Sequence, residues 1–171
     1  PGSPEVAAAD QIIDKTGKEY RLKETLESIQ NEYDYIIVDT PPALGTLTVN
    51  ALTAGTWILI PVQAEVHSLQ GIGLLMEAIN PVKKYCNPNV IIKGILLTRY
   101  NARSIISRDM RENLVDAAEQ IGTKVFDSAI RECTALKEAQ ATQTDIFTYA
   151  PKSNAAKDYD AFISELIEEE L

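Results

Sequence analysis

A lone carboxylate, Asp39, closes the apolar run Tyr35–Val38, and Thr40, Pro41 and Pro42 follow it directly. Four apolar residues ending in an acid form the Walker B arrangement, in which a strand fixes a carboxylate that holds magnesium, often through the ion's water shell. A divalent ion and phosphates keep such an acid ionised. An acid at a strand end also serves simply to cap the next turn or helix. The two prolines fix φ and restrict the residues before them, so the chain leaves the strand in one direction. Thr40 and Thr46 bring hydroxyls to the same region, and Thr46 is placed to cap the helix after it. Together these residues deliver a charge to the rim of a sheet, beside a loop pre-shaped for a ligand.

Positioning that acid requires a sheet, and the sequence alternates accordingly. Pro4–Asp14 carries Val6, Ala9, Ile12 and Ile13 at helical spacing, and Tyr20–Ile29 repeats the pattern after Gly17. Further helices are expected at Thr46–Ala54, Ser68–Cys86, Ser104–Ile121, Glu132–Ala141 and Lys152–Glu169. Strands are expected at Tyr35–Asp39, Thr56–Val62, Val90–Thr98 and Lys124–Ser128. Strands apolar on both faces and separated by helices imply a parallel sheet covered on both sides. The expected fold is a single α/β domain over residues 1–171, doubly wound, with a mostly parallel sheet and helices on both faces. In such sheets ligands sit beyond the carboxyl ends of the strands, where Asp39 falls. A domain of this class normally opens with a strand. This one opens on PGSPE, a loop running into a helix, as though joining a sheet already under way.

The 171 residues are 45% hydrophobic and 24% charged, enough for one domain with a sizeable core and too little for two. No apolar run reaches the roughly 20 residues of a membrane span, and the start lacks the regions of a signal peptide, so a soluble protein is expected. Cys86 and Cys133 lack metal-ligand spacing, which suits buried or bystander thiols in a reducing cytoplasm. A net charge of −9 works against nucleic-acid binding over the whole surface, so any DNA contact needs a local basic patch. The acids after Ala156, namely Asp158, Asp160, Glu165, Glu168, Glu169 and Glu170, carry much of that charge and fit a solvated helix face. His67 is the single histidine, which excludes a His-based triad or a multi-His metal site; it fits a hydrogen-bonding loop, and Trp57 a core position.

The stretch YDYIIVDTPPALGTLTVNALTA closely resembles the ParA group of partition ATPases, which share the deviant-Walker fold with MinD. The likeness continues through IPVQAEVHSLQGIGLL, GILLTRYNARSIISRDM, KVFDSAIRECTALKEAQA and YAPKSNAAKDY, and so covers nearly the whole chain in order. It implies a P-loop NTPase-like fold that works on ATP/ADP with Mg²⁺ and pairs as a nucleotide-dependent homodimer. It also implies a ParB-like stimulating partner, non-specific DNA, and a cytoplasmic, nucleoid-associated location. Within the resemblance, Asp39 matches the Walker B acid, the catalytic and metal position, with Thr40 and Pro41 beside the nucleotide. Gln63 and Glu65 match positions facing the nucleotide and the partner subunit; a hydrogen-bonded loop is the alternative. Thr98 and Arg99, in LTRYN, match the adenine loop, with Arg99 able to lie against the base plane. An ion pair with a nearby acid is the alternative for Arg99. Ile130, Arg131 and Glu132 match the next loop, where relatives commonly show Ile-Pro and backbone groups serve the base. With Arg131 in the proline's place, that wall is expected to be less rigid.

Relatives begin with a strand and a KGGxGKT loop that cradles phosphates, followed by a strand carrying acidic switch residues. No such segment occurs in these 171 residues, and KTGKEY at Lys15–Tyr20 lacks the glycine spacing. The chain is therefore expected to be the carboxy-terminal two-thirds of a ParA-like ATPase domain, incomplete at its amino-terminal side, and unable to hydrolyse ATP alone. The alternative is a shortened, non-enzymatic α/β module acting through protein–protein interaction. For DNA, Arg131, Lys137 and Lys152 lie beside Glu132 and Glu138, and Ala135 stands where close relatives show an arginine. Arg99, Arg103, Arg108 and Arg111 form a second basic cluster, interleaved with Asp109 and Glu112. The acidic tail differs from the basic amphipathic targeting helix of MinD-type proteins, so no membrane partner is expected.

Overall fold

The computed structural model of the chain describes residues 16–168, so the expected Pro4–Asp14 helix and the acids Glu169 and Glu170 lie outside the described residues. The chain divides into two compact units, Pro1–Ile58 with Gln70–Ile91, and Leu59–Leu69 with Ile92–Leu171.

In the first unit a 3₁₀ turn, Lys18–Tyr20, leads into α1 (Arg21–Leu26), and a second turn, Gln30–Glu32, follows. α2 spans Thr46–Ala54 as its pattern predicts. Its N-cap, however, is Gly45, with no side-chain cap bond, and Thr46 is already inside the helix. Thr48, Asn50 and Thr53 on α2 are buried. Asn50 shows how a polar residue is tolerated there. Its Nδ2 donates to the carbonyls of Lys18 (2.8 Å) and Thr46 (2.9 Å), and its Oδ1 accepts from the Leu22 N–H (3.1 Å). A buried amide is stable only when its donors and acceptor are met in this way. After β1 (Trp57–Gln63), helix α3 (Ser68–Tyr85) buries Ile72, Ile79 and Val82 on one stripe. Asn87 then donates through Nδ2 to the carbonyls of Gly55 (2.7 Å) and Leu52 (3.1 Å), closing the end of α2.

The expected strand at Tyr35–Asp39 does not form among the described residues. Residues 35–40 have no regular secondary structure, Ile37 is 93% exposed, and Ile36 and Val38 are exposed as well. An apolar run becomes a buried strand only where neighbours supply ladder bonds and cover both faces. The described sheet has three strands, and this segment is not one of them.

The second unit holds that sheet. β1 contributes its residues from Leu59 on, β2 (Ile91–Tyr100) its residues from Ile92 on, and β3 is Val125–Arg131, in the order β1-β2-β3. β2 and β3 run parallel, with Ile95 opposite Val125, Leu97 opposite Ala129 and Tyr100 opposite Arg131. β3 continues past the expected Ser128, so Ile130 and Arg131 are strand residues rather than loop. α4 (Ile105–Gln120) starts at Ser104, whose Oγ accepts the Ser107 N–H, and α5 covers Thr134–Ala141. A short helix that no pattern announced, α6 (Ile146–Tyr149), precedes α7 (Asn154–Glu168). Phe126 is the centre of a cluster with Leu96, Ile130 and Phe162; it meets Phe162 edge-on, ring centroids 5.1 Å apart.

α7 packs on β3, and its inner stripe is only partly apolar. Asp158, Phe162 and Glu165 share that face at i, i+4 and i+7. Glu165 accepts the Asp127 N–H on Oε1 and the Ser128 N–H on Oε2, each at 2.8 Å. Asp158 accepts the Arg131 N–H on Oδ2 at 3.0 Å. Two of the acids expected on a solvated face thus hold the backbone of β3. The reason is that each strand N–H left without a ladder partner needs an acceptor.

Burial pushes both carboxyls up, but the bonds they accept outweigh it. Asp158 sits below its ordinary 3.8 through the Arg131 guanidinium and N–H. Glu165 sits below 4.5 through Ser128 and Asp127, with the Lys124 charge adding to this. Folded-state values below the unfolded ones mean that this stabilisation is complete above the unfolded values and is lost as pH falls through the folded ones. Urea unfolding is therefore expected to show a wild-type advantage over Asp158→Asn/Glu165→Gln that is constant near neutrality and shrinks below about pH 4.5. An advantage that persists unchanged at pH 3 would remove the carboxylates from this role.

Candidate functional site

Because β2 and β3 are parallel, their carboxyl ends fall on the same side of the sheet. The residues leaving those ends, with α5, α6 and α7, line an open cavity of about 650 Å³. Thr98, Arg99, Ile130, Arg131 and Glu132 all line it, so the structure brings these sequence-nominated residues together. Lys137, Gln140, Thr144 and Tyr159 complete its polar lining. The volume and mixed lining suit a small organic ligand.

Arg99 has φ +50°, a left-handed conformation that a non-glycine residue adopts at a cost of about 1–3 kcal/mol. Its Nη1 donates to Gln63 Oε1 at 3.2 Å, and its Nη2 lies 3.5 Å from Glu132 Oε1. Glu132 Oε1 also accepts from Lys137 Nζ at 2.9 Å. The Lys137 bond and charge, then the Arg99 charge, hold the Glu132 carboxyl below its usual range. The alternative reading of Arg99, an ion pair with a nearby acid, is thus the observed arrangement. These side chains are about half exposed, so the pairs themselves add little stability. Gln63 sits in a hydrogen-bonded turn: its carbonyl accepts from the Ser68 hydroxyl and the Glu65 N–H. Thr98 Oγ1 donates to the Val62 carbonyl at 3.3 Å.

Arg131 is held differently. Its Nε donates to both oxygens of Asp158 (2.9 and 3.2 Å), its Nη2 donates to Oδ1 (2.6 Å), and its N–H goes to the same carboxylate. The Asp158 side chain is only 11% exposed, and the pair raises the guanidinium pKa through this bonding. The looseness expected from losing a proline is offset by this clamp, and the Arg131 N–H is not available to a ligand. Sequence reasoning missed Asp158. The signal was its place on one helical stripe with Ala155, Phe162 and Glu165.

Asp39 belongs to the other unit. It is exposed, as are Thr40 and Pro41, and among the described residues its carboxylate has no hydrogen bond or ion pair. No group of three or more His, Cys, Asp or Glu that could hold a metal ion occurs among the described residues. A single open carboxylate does fit magnesium, which uses one or two protein carboxylates and leaves the rest of its shell to water and phosphate. KTGKEY is no phosphate loop: Gly17 has φ +80° ahead of the 3₁₀ turn, and the Lys18 carbonyl is bonded to Asn50. In the second basic cluster, Arg111 lies 3.6 Å from Asp127 and Arg108 Nη1 donates to the Ala102 carbonyl. Among the described residues no helix is long and apolar enough to cross a membrane.

Comparison with known proteins adds the following. The family model AAA_31, described as an AAA domain, matches residues 2–92. The sporulation initiation inhibitor protein Soj of Bacillus subtilis is 36% identical over 160 residues, which is 93% of this chain and 62% of Soj. The chromosome partitioning protein ParA of Myxococcus xanthus is 34% identical over 168 residues, 98% of this chain and 58% of that protein. The crystal structure of cobyrinic acid a,c-diamide synthase from Mycobacterium smegmatis superposes with a TM-score of 0.79 at 30% identity, over 98% of this chain and 60% of that one. The same enzyme with bound ADP and magnesium gives 0.69 at 29%, over 84% and 63% of the two chains. The chain therefore spans less than two thirds of the length of these proteins.

Proposed function

We infer function from one premise: the chain belongs to the AAA domain family and is a ParA/MinD-like relative of the partition ATPases. On that premise it is the part of a ParA-like ATPase, a single α/β domain in the intact protein, that contributes the Walker B carboxylate Asp39 and the base-side residues. The observation that carries this reading is the cavity, where Thr98, Arg99, Ile130, Arg131 and Glu132 surround a space of nucleoside size. Asp39 would hold magnesium through its water shell, and the ion would supply charge neutralisation at the phosphates. The 171 residues contain no glycine-rich cradle, so hydrolysis belongs to the full-length protein and not to this span. A nucleotide-dependent homodimer, a ParB-like partner and DNA held at a local basic patch such as that around Arg103 travel with the reading. A second reading, an interaction module, is favoured by one observation, the exposed apolar run Ile36–Val38.

Titration of the full-length protein with a fluorescent ATP analogue tests the first reading. Binding is expected to require magnesium, and Arg99→Ala to weaken it about 3- to 30-fold, the worth of a cation–π contact that is partly desolvated. No binding by the wild type removes the reading. Undiminished binding by Arg99→Ala removes the base-side assignment, and ATP turnover by the isolated 171-residue chain contradicts the cradle argument.

A further inference from the structure

A guanidinium on the wall of a base-binding cavity is not neutral toward the base. Free arginine pairs bidentately with the O6/N7 acceptor edge of guanine, whereas adenine places a donor, N6–H₂, beside its N7. Arg131 lines the cavity. The Nε/Nη2 edge of its fork is already bound to Asp158, with Nη2 at 2.6 Å, which fixes the plane and direction of the guanidinium. The backbone N–H of the same residue is bound there too, so both ends of Arg131 are fixed by one carboxylate from α7. The other cations on the wall, Arg99 and Lys137, are both occupied by Glu132. Asp158 itself stays off the wall, while its neighbour Tyr159 lines it.

We propose that Asp158 determines base specificity by withholding Arg131 from the cavity, so that adenine is admitted in preference to guanine. The assignment rests on the base-site reading above. Asp158 acts through another residue and touches no ligand; it is a positioning residue. Its loss frees the Arg131 fork to turn inward, where guanine offers acceptors and adenine does not. The change is one of selectivity and not of general fitness, which separates it from a purely structural role. It also requires Arg131, so removal of the arginine must erase it.

The test compares fluorescent ATP and GTP analogues on the full-length wild type, Asp158→Ala, Asp158→Asn and Arg131→Ala/Asp158→Ala. In Asp158→Ala the preference for ATP over GTP is expected to fall about tenfold, chiefly through tighter GTP binding, the worth of one bidentate base contact. Asp158→Asn, close in shape, is expected to move the ratio in the same direction and carries the test if the alanine variant misfolds. The double variant is expected to return to the wild-type ratio. A ratio within about twofold of wild type in the folded Asp158 variants overturns the proposal, as does a double variant that keeps the altered ratio. If the wild type binds neither nucleotide, the base-site reading falls first and takes this assignment with it. If it binds ATP and the variants discriminate normally, only this assignment falls.

Discussion

Phe126→Ala is expected to destabilise the protein by about 3–5 kcal/mol, read as a lower urea midpoint with little change in slope. The ring is 0% exposed, sits among Leu96, Ile130 and Phe162, and meets the Phe162 ring edge-on at an interplanar angle of 86°. Truncation removes the transfer energy of a whole aromatic side chain, the aromatic pair, and leaves a void bounded by strand backbone that cannot collapse far. The space the ring fills exists because β2 carries Gly94. A Cβ built there would stand 2.4 Å from Phe126 Cε2 and 2.8 Å from Cζ. Gly94→Ala is accordingly expected to cost about 1–3 kcal/mol or more, through overpacking rather than through any change in backbone preference. The paired design is informative: Gly94→Ala placed on Phe126→Ala should cost far less than it does on the wild type, since the atom it strikes is gone. Additive losses would mean that the two positions do not share this space.

Asp39→Ala in the full-length protein is expected to weaken magnesium-dependent nucleotide binding about 10–100-fold, the typical worth of a residue that holds a metal through its outer shell. Turnover should fall at least as far, because phosphoryl transfer relies on positioning and charge neutralisation with little else to compensate. The side chain is exposed and makes no contact among the described residues that would stabilise the fold, so the melting curve should barely move. Titrations with and without EDTA separate the effects: binding that remains without magnesium should be the same in both proteins. Asp39→Asn keeps the shape and loses the charge, and should behave as the alanine variant does. Equal magnesium dependence in wild type and both variants would remove Asp39 from the metal site.

Helices were legible in the sequence because their information is local. Ser104 ahead of Ile105 gives a cap and a start, and the spacing of Ile72, Ile79 and Val82 gives a buried stripe. Strand runs were legible as apolar segments, and Trp57–Gln63 and Ile91–Tyr100 follow them closely. The failure at Tyr35–Asp39 has the same root. Apolarity records what a segment is suited to bury, while strand formation depends on partners that the local pattern does not contain. β3 ran longer than expected because its end pairs with β2, Arg131 opposite Tyr100, and the carboxylates that hold Asp127, Ser128 and Arg131 come from a helix far along the chain, neither of which a local pattern contains. For the cavity, residue types and the family resemblance nominated Thr98, Arg99 and Ile130–Glu132, and the parallel register of β2 and β3 brought them together. Asp158 could not be nominated by type, since an acid in an acidic tail is unremarkable until its partner is known.

The same helix has a bearing on how the molecule behaves in a crowd. Among the described residues β3 is a terminal strand of the sheet, and a terminal strand offers a row of hydrogen-bonding groups on which a strand from another molecule can grow. Here Glu165 and Asp158 occupy the Asp127, Ser128 and Arg131 N–H groups with oxygens that carry negative charge and can accept but not donate. An incoming strand would have to displace two anions as well as a packed helix. α7 thus shields the β3 edge of this sheet, and whatever lifts it away turns that edge into a seed for aggregation.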